Sequence, residues 1–328
     1  VSGEYLPHVS VLLEECLQAL GLGAEGVESP VFADLTFGGG GHSSALLERF
    51  PRARLVAFDQ DPQAVANGRA LIGARGWSDR ATLVHANFRE FPAWAAANQP
   101  TGFHGVLADL GVSSHQFDQA DRGFSFRADA PLDMRMNSGD ADVATAADLV
   151  NTLPERDLAD LIFKYGEERL SRKIAFRIVE KRAERPYRTT GELEETCFLA
   201  YPPNQRHRGA HPATRTFQAL RIAVNDELGV LEALLHGLPA TLADGGTAAL
   251  ISFHSLEDRI IKHTFKEIVA RPSSCVTILT KKPIIPTERE VAANPRARSA
   301  KLRVMRRGEN HGGKLGFTEQ KDRDGVEG

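Results

Sequence analysis

Between Val31 and Leu110 the chain alternates short apolar runs with longer stretches whose apolar positions recur every three or four residues. The short runs read as buried strands and the longer periodic stretches as helices. The expected strands are Val31–Leu35, Leu55–Asp59, Thr82–Asn87 and Gly105–Leu110. Turn residues and a helical pattern separate them, the rhythm of a parallel sheet with helices on both faces. Asp61 and Pro62 open one of those helices as N-cap and first helical residue. After Ser114 the rhythm stops. Residues 116–212 read as loop and helix, with a helical run from Asp142 to Glu184. A helix over Thr214–His236, stopped by Gly237, leads back to a strand at Thr247–Phe253. Ser255 and Asp258 make a capping pair for a helix over Leu256–Ala270. Val276–Thr280 and Lys301–Met305 then close the sheet as a hairpin across a long loop. The expected organisation is α/β. Residues 1–115 and 213–307 form one sheet-bearing domain, residues 116–212 are a helical insert, and residues 308–328 are a polar, disordered tail.

The first strand carries Asp34 near its end and then runs into four glycines, Gly38 to Gly41, followed by His42. Bare backbone lets a ligand lie against the main chain, and the helix that follows offers its orphan N–H groups to a negatively charged moiety. The dinucleotide pattern Gly-x-Gly-x-x-Gly is incomplete, because Ser43 stands at its third glycine. An acid on the strand before a Gly-x-Gly loop looks instead like the first motif of S-adenosylmethionine-dependent methyltransferases. A glycine-rich connection without a ligand is the competing reading. Asp59 ends the second strand, where α/β nucleotide folds grip ribose hydroxyls; it could instead cap its own loop. Phe88, after the third strand, can lie on an adenine face or serve as core. Asp109 ends the fourth strand beside the crevice where open α/β sheets put their chemistry.

With 328 residues, 42% hydrophobic and 25% charged, the chain has room for a full core and a second module. A net charge of −3 makes any nucleic-acid surface local. Three scattered cysteines argue against disulfides and a zinc site, and fit a reducing cytoplasm. No metal is expected, nor a signal peptide or membrane span. The insert is rich in Lys and Arg, and some of these face acids at three- or four-residue spacing as solvated pairs. Two groups have no acid nearby in sequence: Arg206, Arg208, His211 and Arg215, and then Arg296, Arg298, Lys301 and Arg303. Uncompensated cations of this kind gain by displacing counterions from a nucleic-acid backbone. Tyr187, Tyr201 and Phe217 are candidate stacking surfaces for an extruded base, with core packing the default for Phe217.

Several segments in the same order carry a closer resemblance. They are Thr36–His42, Asp109–Ser114, Arg122–Phe126, Pro131–Met136, His211–Arg221, Ser252–Arg259 and Asn294–Leu302. With these the chain resembles the bacterial MraW/RsmH family, the ribosomal RNA small subunit methyltransferases, nearly end to end from His8. The resemblance implies a class I, Rossmann-like methyltransferase domain interrupted by a helical substrate domain. It implies S-adenosylmethionine as cofactor, with Gly40, Gly41, His42, Asp59, Phe88, Asp109 and Gln116 lining its site. The implied reaction is N4-methylation of a cytidine in 16S rRNA, with the small ribosomal subunit as partner and an oligomer left open. Gly39 and His115 depart from the family pattern without touching the cofactor positions. Amino-group methyltransferases commonly place Asp/Asn/Ser-Pro-Pro-aromatic at the fourth strand end, whereas this chain has Asp109-Leu-Gly-Val. Two roles for Asp109 remain: accepting an N–H of the target amine, or serving only as a cofactor ligand. In the second case the amine is held by Phe253–Ser255 or by an insert residue. A methyltransferase acting on another acceptor, a dinucleotide oxidoreductase and a non-catalytic RNA-binding module are the other classes. The basic clusters, Ser43 and the three strand-end acids argue against them in turn.

Overall fold

The computed structural model describes residues 10–308, apart from Ser114, His115, Asp118 and Gly139. His8 and the expected tail from residue 309 onward lie outside the described residues. Seven strands form one sheet: β1 Val31–Asp34, β2 Arg54–Asp59, β3 Ala81–His85, β4 Phe103–Asp109, β5 Leu242–Ser252, β6 Val276–Ile278 and β7 Lys301–Arg307. Their order is β3-β2-β1-β4-β5-β7-β6. The first five are mutually parallel, and β7 runs antiparallel to both β5 and β6, as the closing hairpin predicts. Strand order reverses between β1 and β4, so a crevice opens beyond their C-terminal ends, where Asp34 and Asp109 stand.

Side chains alternate across the sheet with the period of two that strands impose. Phe32, Ala249 and Ile251 face one layer, which holds helices α1 Leu13–Gly23, α2 Gly41–Arg49 and α3 Pro62–Ala74. Val31, Ala33, Ala248 and Leu250 face the other, covered by α4 Phe91–Asn98, α10 Glu227–Thr241 and α11 Ser255–Ala270. Between β4 and β5 lies a separate core. It is built from α5 Ala146–Thr152, α6 Glu155–Gly166, α7 Ser171–Glu184, α8 Thr190–Ala200 and α9 Thr214–Asn225. Among the described residues no helix is long and apolar enough to cross a membrane. Cys16, Cys197 and Cys275 are all free thiols.

Several helix boundaries differ from expectation for local reasons. The run from Asp142 to Glu184 is three helices. Thr145 and Asp148 form a capping box that starts α5, Pro154 precedes α6, and Glu167 in the left-handed region ends it. The helix expected over Thr214–His236 breaks at Asp226, also left-handed at φ 47°. Gly237 does not stop it. That residue lies inside α10, where a Cβ would come within 2.5 Å of Pro92, so the glycine allows α4 to approach closely. Phe217, Leu220 and Val224 of α9 pack with the insert's core, which therefore extends past residue 212 to the bend at Asp226. The cap of α11 is His254 with Glu257, not Ser255 with Asp258. Ser255 instead donates to Glu167 Oε2 at 2.6 Å, and a short helix, α12 Glu288–Ala293, occupies the long hairpin loop.

Candidate active site

The loop after β1 is shaped by glycines in left-handed backbone, Gly38 at φ 50° and Gly40 at φ 74°. A Cβ on Gly40 would lie 2.7 Å from the Phe37 ring and 2.8 Å from Leu71, so this glycine seats the loop on the core. The loop borders a cleft of about 430 Å³ at the C-terminal edge of the sheet. Gly41, His42, Asp59, Phe88, Asp109 and Gln116 all line it; Gly40 is turned to the core behind.

Three acids converge on the loop. Asp34 is buried, accepting from the Thr36 N–H at 3.1 Å and the Ser43 hydroxyl at 2.6 Å. Burial raises its carboxyl above the ordinary range. The Ser43 that breaks the dinucleotide pattern is thus the partner of the strand acid. Asp59 accepts from the Gly38 N–H at 2.8 Å and the Asp61 N–H at 2.8 Å. It therefore clamps the glycine loop and caps its own loop while lining the cleft. Burial pushes its carboxyl up to about 6 against those two donors. Asp109 receives nothing comparable. Its backbone N–H donates to Thr36 Oγ1 at 2.7 Å, and its Oδ2 lies 3.8 Å from His42 Nδ1. Its Oδ1 is buried without a hydrogen-bond partner among the described residues. Burial pushes this carboxyl up to about 7, with Asp34 and Glu257 raising it further and His42 opposing. His42 Nε2 lies 3.0 Å from the Val11 carbonyl, so Nε2 carries hydrogen and Nδ1 faces Asp109.

Gln116 has a structural task. Its Nε2 donates to Asp61 Oδ2 at 2.8 Å and its Oε1 accepts from the Ser113 N–H at 3.1 Å. Asp61 Oδ2 also accepts from Arg122 Nη1 at 2.8 Å, while its Oδ1 caps α3 through the Gln63 N–H at 3.0 Å. Arg122 Nη2 donates onward to the Arg135 and Met136 carbonyls at 3.0 and 2.8 Å. This buried knot joins the cleft to the insert's Met-rich loop. Sequence reading recognised Asp61 as an N-cap but had no signal for its long-range partners.

A second buried ionic group lines the cleft wall. Arg221 Nε and Nη2 donate to the two carboxylate oxygens of Glu227 at 2.8 and 2.9 Å. His254 Nε2 lies 3.3 Å from Glu257 Oε1, and the Phe253 N–H donates to Glu257 Oε2 at 2.9 Å. Burial pushes Glu227 up, against the pull of Arg221. Burial also acts on Glu257, but His254 and Arg221 hold it below the ordinary range. Arg221 and Glu257 sit inside segments quoted for the family resemblance, but Glu227, the partner of Arg221, lies across the α9–α10 bend and outside them.

The cationic positions divide. Arg303 is buried and donates to Asp258 Oδ1 at 2.6 Å, Lys301 reaches Asp258 Oδ2 at 3.3 Å, and His211 Nε2 meets Glu194 at 3.1 Å. The expectation that they lack nearby acids is corrected, because folding brings carboxylates from α11 and α8. Arg206 is half-buried over the Phe198 ring and donates to the Tyr201 carbonyl. Arg208, Arg215, Arg296 and Arg298 are exposed, and Arg296 lies over Phe117 at the cleft wall. Within the insert the ion pairs Arg172–Asp160, Lys181–Glu195 and Arg185–Glu192 join different helices. Tyr187 and Phe217 are core residues, and the Tyr201 hydroxyl donates to Glu168 at 2.6 Å. None of the three is an open stacking platform.

Comparison with known proteins agrees with this arrangement. Residues 5–308 match the MraW methylase family. A relative from Picosynechococcus sp., named ribosomal RNA small subunit methyltransferase H, is 50% identical over 298 residues, covering 90% of this chain and 95% of its own. One of the same name from Heliobacterium modesticaldum is 48% identical over 313 residues, covering 90% and 97%. A third, from Synechococcus elongatus, is 50% identical over 302 residues, covering 92% and 94%. A glycine loop clamped by strand-end acids at the sheet's switch point, a helical insert between β4 and β5, and a match along nearly the whole chain have one joint consequence: this protein belongs to the MraW methylase family.

Proposed function

We propose that the protein transfers the methyl group of S-adenosylmethionine to N4 of a cytidine in 16S rRNA of the small ribosomal subunit. The observation that carries the reading is the buried Oδ1 of Asp109 at the end of β4, which has no hydrogen-bond partner among the described residues. A buried acceptor without a partner is costly, and sites that retain one commonly use it on a ligand. The cleft fits the cofactor. Asp34, Asp59 and Asp109 crowd the glycine loop, and their partners there include backbone N–H groups, the Ser43 and Thr36 hydroxyls and His42. A ligand bearing an ammonium and a sulfonium offsets that density of carboxylates. Asp59 stands where a ribose diol is gripped, and the half-buried Phe88 supplies a wall for adenine.

When bound, the cofactor supplies an activated methyl on a sulfonium. The protein's task is to aim the cytosine amine at it, since that lone pair is delocalised into the ring. Asp109 Oδ1 accepts one N4–H, which localises the lone pair and then takes the proton that the amine loses. His42, its Nε2–H held by the Val11 carbonyl, keeps its ring beside the same carboxyl, with Nδ1 3.8 Å from Oδ2. Alignment of this kind is worth on the order of 7–11 kcal/mol in favourable systems. Arg208, Arg215, Arg296 and Arg298 supply phosphate contacts; Arg303 does not, being committed to Asp258.

The test uses radiolabelled S-adenosylmethionine and small ribosomal subunits from cells lacking the activity. Label at a single N4-methylcytidine is the expected result. Transfer to no subunit and no naked rRNA, with cofactor binding intact, would discard the rRNA reading and keep the family assignment.

A further inference from the structure

We infer that Arg221 and Glu227, backed by Glu257, form the subsite that reads the hydrogen-bonding edge of the target cytosine; the inference rests on the cytidine N4 reading above. The bend at Asp226 starts α10 so that Glu227 folds back onto the last turns of α9, and the two side chains meet as a fork. A guanidinium carries about five N–H donors. The fork to Glu227 takes the Nε hydrogen and one from Nη2, leaving both Nη1 hydrogens and the second on Nη2. Arg221, Glu227 and Glu257 all line the cleft, beside the apolar Phe253, Val230 and Leu231.

The pair offers a base at the cleft guanidinium N–H donors beside a carboxylate acceptor, which in sequence can be met as donor, donor, acceptor. Guanine shows the same order to cytosine in a base pair. Cytosine offers O2 and N3 as acceptors and N4–H as donor, so each group finds its complement. Uracil reverses the last two positions. Its N3–H would face a guanidinium N–H and its O4 would face a carboxylate, leaving buried polar groups opposed rather than paired.

Stability alone is a poor reason for such a cluster. Buried ion pairs often break even against apolar residues of the same size, and here two carboxylates and a guanidinium border the cleft with an imidazole behind Glu257. Its position suits a base reader. Arg221, Glu227, Glu257 and Asp109 border the same cleft, so the cluster shares it with the acceptor assigned to the amine. With N3 and O2 on Arg221, one N4 hydrogen faces Glu227 and the other is left for Asp109 Oδ1. The base is then held by its edge while the amine lone pair stays directed at the methyl.

The test titrates the full-length protein, saturated with S-adenosylhomocysteine, with cytidine 5′-monophosphate and separately with uridine 5′-monophosphate. The readout is the arginine Nε–H NMR signal of Arg221, identified by its loss in Arg221→Lys. Cytidine monophosphate is expected to move that signal and to bind at least about tenfold tighter than uridine monophosphate. Glu227→Gln should keep homocysteine-cofactor affinity and lose the preference, to within about twofold. A signal that cytidine monophosphate leaves in place, or that both nucleotides move equally, overturns the inference and reduces the pair to a clip for the α9–α10 bend. Should Glu227→Gln fail to fold, the wild-type titrations decide by themselves. Failure of S-adenosylhomocysteine to bind would count against the cofactor reading, while the nucleotide preference would still be read on the protein alone.

Discussion

Asp109→Asn tests the electrostatics of the site without any substrate. The carboxyl is displaced from its ordinary 3.8 to about 7, chiefly by burial. A displacement of that size corresponds to about 4 kcal/mol of preference for the protonated form in the folded chain. The sign follows directly. The native protein holds a proton that the unfolded chain has lost between pH 3.8 and about 7, so this group's contribution is complete below pH 3.8 and falls as pH rises to 7. Asparagine keeps the shape and cannot ionise. Relaxation, the neighbouring His42 and the 25% exposure of the side chain all reduce the full figure, so the variant should be more stable than wild type by ~1–3 kcal/mol at pH 8. Near pH 4.5 the difference should shrink to about 1 kcal/mol or less, and it should close only below pH 3.8. Asp34, Asp59 and Glu227 are also displaced upward, but they are common to both proteins, so the variant-minus-wild-type difference isolates Asp109. Equilibrium urea unfolding at half-unit steps from pH 4.5 to 8.5 measures it. An equal gap at both ends, or a destabilised variant at pH 8, refutes the reasoning. Methyl transfer should fall by about a hundredfold or more in the same variant.

Arg122→Ala removes one half of a buried ion pair and two donors to the Met-rich loop, and should cost about 3–5 kcal/mol in urea unfolding; Arg122→Met should cost less, since it fills the space. Gly40→Ala places a methyl against Phe37 and Leu71 in left-handed backbone, and should cost about 1–3 kcal/mol and weaken S-adenosylhomocysteine binding measured by calorimetry. Arg208→Ala and Arg298→Ala should leave the melting temperature within about 2 °C and each lower the salt dependence of subunit binding by roughly one counterion. Arg303→Ala should do the opposite, losing about 2–4 kcal/mol of stability because Asp258 is left without its closest partner, with an unchanged salt slope.

What the sequence determined here was local and periodic. Apolar runs ending at Asp34, Asp59 and Asp109 specify strands, because a buried strand needs nothing beyond its own side chains and two covered faces. Four successive glycines specify a loop open to a ligand, and Asp61 with Pro62 specifies a helix start, because backbone geometry is dictated by the residues themselves. The parallel sheet, the closing hairpin and the interruption between β4 and β5 could all be read at that level. Partners distant in sequence could not. Asp61 meets Gln116 and Arg122, Arg303 meets Asp258, and Ser255 meets Glu167, across separations of 55, 61, 45 and 88 residues. These pairings changed the assignments. They turned Arg303 from a phosphate candidate into a buried partner and tied Gln116, which still lines the cleft, to Asp61. Charge is visible in a sequence, but whether a charge is free or satisfied depends on which residues folding brings within 3–4 Å, and on how much water remains between them.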